Sequence, residues 1–362
     1  MITRRRRWVA AAAAAAAALI LTGCRAPLEG AQPDATAAHD PAGTHSPAAA
    51  PTPGTAAATV AAGQVSLIQE PDAGYGPIYA GITGAHASID MTMYELADPA
   101  AQADLIAAHR RGVTVRIILD RAFHGQQVNQ GAFTQLRAAG VAVHWGPTGQ
   151  IFHQKTITID GSRSWIGTAN LTSRYYPSTR DAWILTTNPA QVKAIAGTFA
   201  ADWASPKHSG NAVGATGLMW SPGAQQQIVA DIGAAGKTLE FTSAELADTR
   251  VIAALVAAAR RGVVCRIVMT DSPDWTAGFD QVSAAGCAVH VFPDSSKALY
   301  IHEKIIVTDQ AKVLIGSQNA SSTSLNKNRE LSIQITAAPI VSAIEKTFDG
   351  DFTAAPAWKA AS

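Results

Sequence analysis

The sequence predicts an α/β fold built from two similar α/β/α sandwich lobes that arose by internal duplication. Stretches with the alternation of a strand follow stretches with the apolar spacing of a helix, which is typical of α/β domains. In addition, Arg110-Arg111-Gly112-Val113 returns as Arg260-Arg261-Gly262-Val263, 150 residues later. Only two long copies exist, which excludes a solenoid of short repeats. We therefore expect lobes at residues 64–205 and 212–355, with a shared site at their interface.

The elements of the first lobe are predicted from apolar periodicity and from the glycines that end its helices. In chain order they are a helix at 78–85, a strand at 88–96, a helix at 100–111, a strand at 113–119, a helix at 127–139, strands at 141–145, 151–159, 165–167 and 181–187, and a helix at 189–203. The second lobe repeats this order, and residues 237–246, for example, mirror residues 88–96.

The first 24 residues have the order of an export signal. The basic run Arg4–Arg7 precedes an apolar stretch from Trp8 to Leu21, which is short for a membrane span. This order predicts a signal peptide at 1–23. Leu21-Thr22-Gly23-Cys24 resembles the bacterial lipoprotein box, which implies lipidation of Cys24 and anchoring to the outer face of the cell membrane. A plain signal peptide with an incidental cysteine is the alternative, and the choice between Sec and twin-arginine export stays open.

Residues 24–63 are rich in Ala, Pro, Thr and Gly and carry almost no large apolar side chains. Such a segment cannot bury a core, so we expect a disordered tether between Cys24 and the first lobe. The globular part is expected to begin at Gln64.

The composition limits the classes of function. Hydrophobic residues make up 48% of the chain and charged residues 15%, as expected for a packed core. Three cysteines are too few for a disulfide scaffold, and the sequence has no zinc-type spacing and no P-loop. Of the 28 Lys and Arg residues, four lie in the predicted signal, which leaves 24 against 27 acidic residues. A protein that holds long nucleic acids is expected to be basic, so we expect no nucleic-acid partner.

Five positions recur at identical spacing in the two halves. The first set is His153, Lys155, Asp160, Gly167 and Asn170, and the second set, 149 residues later, is His302, Lys304, Asp309, Gly316 and Asn319. Residues 151–159 alternate apolar and polar side chains, so His153 and Lys155 are expected on one face of a strand. The turn sequence Asp160-Gly161 would then bring Gly167 and Asn170 beside them. Chance does not reproduce such spacing twice.

Paired His and Lys residues suit the cleavage of a phosphodiester. Cleavage without a metal needs a nucleophile, positive charge at the non-bridging oxygens and an acid for the leaving oxygen. One imidazole cannot attack phosphorus and protonate the leaving group at once. Two His–Lys pairs on the axis of an internal pseudo-dimer supply all three functions, which gives a physical reason for the duplication. We expect a monomer with internal pseudo-twofold symmetry.

The pattern His-x-Lys-x4-Asp followed by Gly-x2-Asn, present twice, resembles the signature of the phospholipase D superfamily. The resemblance covers roughly residues 64–353, with Thr168 in the first copy where the second has Ser317. It implies a phospholipid substrate, a covalent phosphohistidine intermediate, no cofactor and no metal. By analogy, His153 is the nucleophile and His302 is the general acid and then the base.

The resemblance also assigns roles to the surrounding residues. The side chains expected to hold the phosphate oxygens are Lys155, Lys304, Asn170, Asn319, Thr168 and Ser317. Each imidazole also needs its second nitrogen fixed. The candidates are Asp181 for His153 and Glu330 for His302, and the alternative is that both are surface acids.

The other repeated residues are expected to be structural. Asp160 and Asp309 are expected to fix the hairpin turns, beside the motif glycines Gly167 and Gly316. A further repeat, Asp90 with Glu95 and Glu240 with Glu245, fits either the rim of a site or a pair of salt bridges.

Three functions share such a site. The first is a phospholipase D, which hydrolyses a phospholipid to phosphatidate and a free head group, and a membrane anchor favours it. The second is a phosphatidyltransferase such as a cardiolipin synthase, although such enzymes usually carry membrane-spanning helices and none is predicted here. The third is a nuclease, which in this family is often a short single-motif chain that dimerises. We expect the phospholipase, and its head group stays open, as does transfer to an alcohol.

Cys265 and Cys287 begin two predicted strands. Export would permit a disulfide between them. Spacing alone does not set the distance between their Cα atoms, so the sequence leaves the bond open.

Overall fold

The computed structural model describes residues 59–205 and 216–360. The predicted signal peptide, Cys24 and most of the predicted tether lie outside the described residues. Among the helices of these two ranges, none has the length and apolar character needed to cross a bilayer.

The first half alternates strands and helices. Asp98 and Asn188 accept backbone N–H groups at the starts of two of the helices, whose first residues are Pro99 and Pro189. The elements are β1 (Val60–Ala62), β2 (Val65–Glu70), α1 (Gly76–Thr83), β3 (Ser88–Met93), α2 (Pro99–Arg110), β4 (Thr114–Leu119), α3 (Gly125–Ala138), β5 (Ala142–Trp145), β6 (Lys155–Ile159), β7 (Arg163–Gly167), a 3-10 turn (Ser173–Tyr175), β8 (Thr179–Thr186) and α4 (Pro189–Ala204).

The second half repeats this order. Its elements are β9 (Leu218–Ser221), α5 (Gln225–Gly233), β10 (Thr238–Thr242), α6 (Thr249–Arg260), β11 (Val264–Thr270), α7 (Thr276–Ala284), β12 (Ala288–Phe292), β13 (Tyr300–Ile301), β14 (Ile305–Thr308), β15 (Lys312–Gly316), α8 (Ser322–Asn326), β16 (Glu330–Ile335) and α9 (Ala338–Ala354).

Each half contributes one mixed sheet. The strand order is β1-β2-β8-β7-β6-β3-β4-β5 in the first sheet and β12-β11-β10-β14-β15-β16-β9 in the second. The strands joined through helices, β3 to β5 and β10 to β12, run parallel, and the other strands along these two orders are antiparallel. The short β13 of the second half pairs with β8 and so belongs to the first sheet, which joins the two halves by backbone hydrogen bonds.

Helices lie on both faces of each sheet. In β4, Ile117 belongs to the core under α1, α2 and α3, whereas its neighbour Ile118 contacts Phe199 of α4 on the opposite face. The second half places α5, α6 and α7 on one face and α9 on the other. Apolar residues of both sheets, such as Ile184 and Ile333, share a third core between the halves. The predicted duplicated α/β fold is confirmed, and the lobe boundaries at 64–205 and 212–355 stay predictions.

Two strands differ from the predicted elements. The strand at Val60–Ala62 lies within the predicted tether and pairs with β2, which is also absent from the predicted elements. Three small residues show too little alternation for a strand to be detected. The signature strand begins at Lys155 instead of residue 151, because Phe152 forms an isolated bridge to Arg329 of the other half.

A disulfide joins Cys265 to Cys287, with their Cα atoms 4.6 Å apart. Cys265 lies in β11 and Cys287 directly precedes β12, its parallel neighbour. Both cysteines are buried. The bond that the sequence leaves open is therefore present.

Gly167 marks a place where β7 and β8 leave no room for a side chain. It lies opposite the buried Trp183. A Cβ atom at Gly167 would come within 2.4–2.6 Å of three ring atoms of Trp183. The motif glycine is therefore required by packing.

We expect Gly167→Ala to lower the free energy of unfolding by about 1–3 kcal/mol, because Trp183 would have to leave its packed position. Gly131→Ala is the matched control, since Gly131 is exposed inside α3 and a Cβ there meets nothing within 4 Å. The control should raise the free energy of unfolding by about 0.5–1 kcal/mol. Urea denaturation followed by circular dichroism measures both, and equal stability of Gly167→Ala and the wild type would contradict the packing argument.

Candidate active site

The two His–Lys segments meet at the interface between the halves. The His153 N–H donates to the Arg329 carbonyl at 2.9 Å, and the His302 N–H donates to the Arg180 carbonyl at 3.1 Å. Arg329 and Arg180 directly precede Glu330 and Asp181 in the sequence. The backbone therefore places each histidine beside the acid of the other copy.

Two buried ion pairs hold these contacts in place. Arg329 donates Nε and Nη2 to Asp202 of α4 at 2.9 and 3.1 Å. Arg180 donates the same nitrogens to Asp351 of α9 at 2.7 and 3.1 Å. Each pair joins one half to the other, and two parallel hydrogen bonds per pair offset much of the cost of burying the charges.

The orienting acids act across the interface. His302 Nδ1 lies 2.9 and 3.1 Å from the two carboxylate oxygens of Asp181, and His153 Nδ1 lies 2.8 Å from Glu330 Oε2. The expected pairing of each histidine with the acid of its own copy is therefore wrong. The sequence spacing is the same in both arrangements, so it cannot distinguish them. A carboxylate can only accept, so Nδ1 carries a proton and Nε2 is the nitrogen suited to attack or proton transfer.

Each acid is fixed by further donors. Thr168 Oγ1 donates to Asp181 at 2.5 Å, while Ser324 Oγ and Asn328 Nδ2 donate to Glu330 at 2.6 and 3.1 Å. Burial opposes the ionisation of Asp181, but the charge and hydrogen bond of His302 outweigh it and lower the pKa of Asp181. Asp181 is therefore ionised at neutral pH.

The predicted role of Thr168 and Ser317 as phosphate donors is not supported by their positions. Both side chains are fully buried. Thr168 donates to Asp181, and Ser317 Oγ accepts the Leu331 N–H at 3.1 Å and donates to the Leu331 carbonyl at 3.4 Å. Thr168 thus fixes the acid Asp181, and Ser317 fixes the strand that carries Glu330. Both hydroxyl protons are already donated within the protein, so neither is available to a phosphate oxygen.

The two lysines place positive charge beside the histidines. Lys155 Nζ donates to the His153 carbonyl at 2.9 Å. Lys304 Nζ donates to the His302 carbonyl at 2.5 Å and lies 3.1 Å from His302 Nε2. Both side chains are buried, where a positive charge attracts a phosphate anion more strongly than it does in water.

The motif asparagines are also buried. Asn170 Oδ1 has no hydrogen-bond partner among the described residues. Asn319 Nδ2 donates to Glu245 Oε1 at 2.9 Å. The structure thus places both amides within the buried interior, and their predicted contact with phosphate oxygens stays a prediction.

The motif aspartates lie away from the histidines. Asp160 accepts the N–H groups of His86, Ala87 and Ser88, with distances of 2.7–3.1 Å. Asp309 makes the same contacts with residues 236–238. Their carboxylates therefore tie each hairpin turn to the loop before β3 or β10. Gly316 matches Gly167, because a Cβ there would lie 2.3 Å from the Leu331 carbonyl oxygen.

The repeated acids separate into two roles. Asp90 pairs with Arg116, its neighbour across β3 and β4, at 2.7 Å, and Glu240 pairs with Arg266 in the same way. These are structural salt bridges. Glu95 and Glu245 instead lie near the site, since Glu245 binds Asn319.

A cluster beside His153 is absent from the sequence-based prediction. The Tyr94 ring lies 4.7 Å from the His153 ring and 5.0 Å from Lys155 Nζ. The Tyr94 hydroxyl is 3.3 Å from His124 Nε2, which is 3.0 Å from Glu95 Oε1. The repetition of Glu95 as Glu245 in the sequence could have indicated this cluster, but His124 has no counterpart in the second copy.

Across residues 59–205 and 216–360, no group of three or more His, Cys, Asp or Glu is placed to bind a metal ion.

Comparison with known proteins identifies similar chains. A family model described as cardiolipin synthase, PLD-like domain matches residues 78–203 and 228–352. Cardiolipin synthase A of Pseudomonas aeruginosa strain LESB58 is 24% identical over 336 residues, which cover 81% of this chain and 68% of that protein. Mitochondrial cardiolipin hydrolase of Xenopus laevis is 27% identical over 132 residues, which cover 36% of this chain. That match spans only 62% of the frog protein's length.

A solved structure shares the fold at low sequence identity. Phosphatidylserine synthase of Haemophilus influenzae Rd KW20 superposes with a TM-score of 0.63 at 13% identity. The superposition covers 82% of this chain and 88% of that chain. The likeness therefore extends over both halves of the fold.

We expect His153→Ala and His302→Ala each to abolish turnover of a phosphodiester with an alkyl leaving group. With a p-nitrophenyl ester, whose leaving group needs no proton, His302→Ala should release one equivalent of nitrophenol in a burst, and His153→Ala should release none. Stopped-flow absorbance and mass spectrometry of the adduct measure these outcomes. His86→Ala is the control, because His86 is exposed and only its backbone N–H makes the contact with Asp160 described above. An adduct on His302 in the His153→Ala protein would reverse the two roles.

Proposed function

Since the chain belongs to the phospholipase D superfamily, we propose that it is a phosphodiesterase that hydrolyses a phospholipid to phosphatidate and a free head group. The observation that carries the proposal is the meeting of two His–Lys pairs at one interface. Each imidazole is held by a carboxylate of the opposite copy, at 2.8 Å for His153 and 2.9 Å for His302. Two fixed imidazoles suit a two-step transfer through a covalent intermediate.

In the proposed first step, His153 Nε2 attacks phosphorus and the P–O bond to the head group breaks. His302, protonated on Nε2, gives its proton to the departing oxygen. In the second step His302 takes a proton from water, the water oxygen attacks phosphorus, and the P–N bond to His153 breaks. Lys155 and Lys304 stabilise the charge on the non-bridging oxygens in both steps.

Transfer of the phosphatidyl group to an alcohol is the second candidate. An alcohol would replace water in the second step, and the residues would keep their roles. The description of the matching family model and the likeness to Pseudomonas cardiolipin synthases favour it. The two functions differ in which nucleophile reaches the intermediate, not in the chemistry of the histidines.

We expect the purified full chain to release phosphatidate and free head groups from vesicles of mixed phospholipids, and His153→Ala to release neither. Mass spectrometry of the products identifies the head group. Vesicles of phosphatidylglycerol separate the two functions, since hydrolysis gives phosphatidate and glycerol whereas transfer gives cardiolipin and glycerol. Cardiolipin as the main product would favour the transferase, and cleavage of DNA with intact phospholipids would contradict both.

An exposed aromatic side chain supports a lipid substrate. Phe123, in the loop between β4 and α3, is 56% exposed and has φ of 52°, a conformation that bulky residues rarely adopt. Its ring lies 5.0 Å from that of His124, which contacts Tyr94 beside His153. Single exposed apolar residues are common on protein surfaces. This one is next to the site, and we propose that it contacts the acyl chains of a phospholipid.

We expect Phe123→Ser to reduce the rate on phospholipid vesicles by about tenfold, because a serine buries much less apolar surface against the acyl chains than a phenyl ring does. The rate on a soluble diester should stay unchanged. Val264→Ser is the matched control, because Val264 is 59% exposed but begins β11. The far end of that strand, Thr270, accepts a hydrogen bond from Ile301 beside His302, so Val264 lies about 20 Å from the site. An equal reduction in both variants, or a reduction on the soluble diester, would contradict a lipid contact.

We also propose that the protein is exported and held at the membrane through lipidated Cys24. The support is the sequence of residues 1–24, and an anchor there would keep the enzyme near its substrate. Cys24→Ser should move the protein from the membrane fraction to the soluble fraction or leave its precursor uncleaved. Fractionation with immunoblotting measures this, and a processed, membrane-bound variant would contradict lipid anchoring.

A further inference from the structure

The two copies differ at the position opposite each orienting acid. Glu70 of β2 lies opposite Asp181 of β8, whereas Ser221 of β9 lies opposite Glu330 of β16. Residues directly opposite on antiparallel strands point to the same face, with Cβ atoms about 4.5–5.5 Å apart. A second carboxyl group therefore lies behind the acid of His302, and a hydroxyl group occupies the corresponding position behind the acid of His153.

Glu70 is buried and incompletely hydrogen-bonded. It is 1% exposed, and its Oε2 accepts the Gly74 N–H at 2.9 Å. Its Oε1 has no partner among the described residues. Burial, together with the nearby carboxylates of Asp181 and Asp72, raises the pKa of Glu70 to about 7. The carboxyl group therefore keeps its proton to a higher pH than an exposed glutamate does.

The guanidinium nearest Glu70 binds other groups. Arg180 Nη1 donates to the Glu70 backbone carbonyl at 2.8 Å and to Asp72 at 2.6 Å, and its other nitrogens bind Asp351. Among the described residues, the buried hydroxyl of Tyr75 is also a neighbour of both Glu70 and Asp181, and it stays neutral because burial and these charges raise its pKa. Arg180 is shared among the Glu70 carbonyl, Asp72 and Asp351, so it only partly offsets the charge that the Glu70 carboxylate brings near Asp181.

His302 is faced by charges from three other positions. Asp181 of β8 binds its Nδ1, and Lys304 of β14 contacts its Nε2. Glu303, the next residue, is buried, and burial together with the charge of Asp351 raises its pKa to about 8. Lys304 is present as Lys155 in the other copy, whereas Gln154 stands there in place of Glu303. Glu70 and Glu303 therefore distinguish the environment of Asp181 from that of Glu330, and Glu70 is the one directly opposite Asp181 on the neighbouring strand.

We propose that Glu70 is a positioning residue for His302: acting through Asp181, it holds the imidazole in place and strengthens its affinity for the proton that the leaving group receives. The proposal rests on the proposed phosphodiesterase function. It gives a local reason for His302 to be the acid, since a histidine that attacks phosphorus has to be unprotonated. Ser221 adds no charge behind the acid of His153.

The first test is the pH profile of kcat/KM on a soluble diester with an alkyl leaving group, which requires the acid. Glu70→Gln should move the alkaline limb to lower pH by on the order of one pH unit. Asp72→Asn is the matched control, because its carboxylate binds the same Arg180 but its side chain is 58% exposed. The control should leave the limb in place. A uniform loss of rate in Glu70→Gln with an unchanged profile would mean that Glu70 only packs, and it would overturn the proposal.

The second test needs no substrate. Nitrogen NMR of the full chain labelled in histidine follows the titration of the His302 imidazole, whose midpoint should fall in Glu70→Gln and not in Asp72→Asn. If Glu70→Gln does not fold, Glu70→Ser copies the residue at the mirror position Ser221. An unchanged His302 midpoint overturns the proposal. A shifted midpoint in a protein that cleaves no phospholipid supports it and instead contradicts the proposed function.

Discussion

Two buried guanidinium–carboxylate pairs determine how the halves of this protein meet. Arg329 reaches from the second half to Asp202, and Arg180 reaches from the first half to Asp351. The backbone carbonyls of the same two arginines accept the N–H groups of His153 and His302. Removal of one partner from a buried pair typically costs about 3–5 kcal/mol. The constraint that joins the halves therefore also sets the positions of the catalytic candidates.

The site combines buried charges that would be unfavourable alone. Lys155 and Lys304 are buried beside His153 and His302, and each imidazole rests on a carboxylate. The imidazoles bind carboxylates and the lysines donate to backbone carbonyls, which offsets the cost of burying these groups. The arrangement attracts an anionic diester because the lysines bring positive charge beside the histidines. Stability and phosphate chemistry thus depend on the same contacts.

In the two proposed reactions, the fold and the histidines do not determine whether water or an alcohol accepts the phosphatidyl group. The similar proteins include one named as a cardiolipin synthase and one named as a cardiolipin hydrolase. In both proposed reactions the histidines play identical parts. What separates hydrolysis from transfer is whether water or an alcohol reaches the intermediate.

The duplication, the α/β class and the residues His153, Lys155, His302 and Lys304 could be predicted from the sequence alone, because identical spacing repeated over 149 residues is visible without coordinates. The acid that serves each histidine could not. Spacing along one chain is the same whether an acid contacts its own copy or the other one, and the crossing arises from contacts 121 and 177 residues apart. The pairing of β13 with β8 and the positions of His124 and Glu70 could not be predicted for the same reason. Their partners are distant in the sequence and come together only when the strands of the folded sheets align.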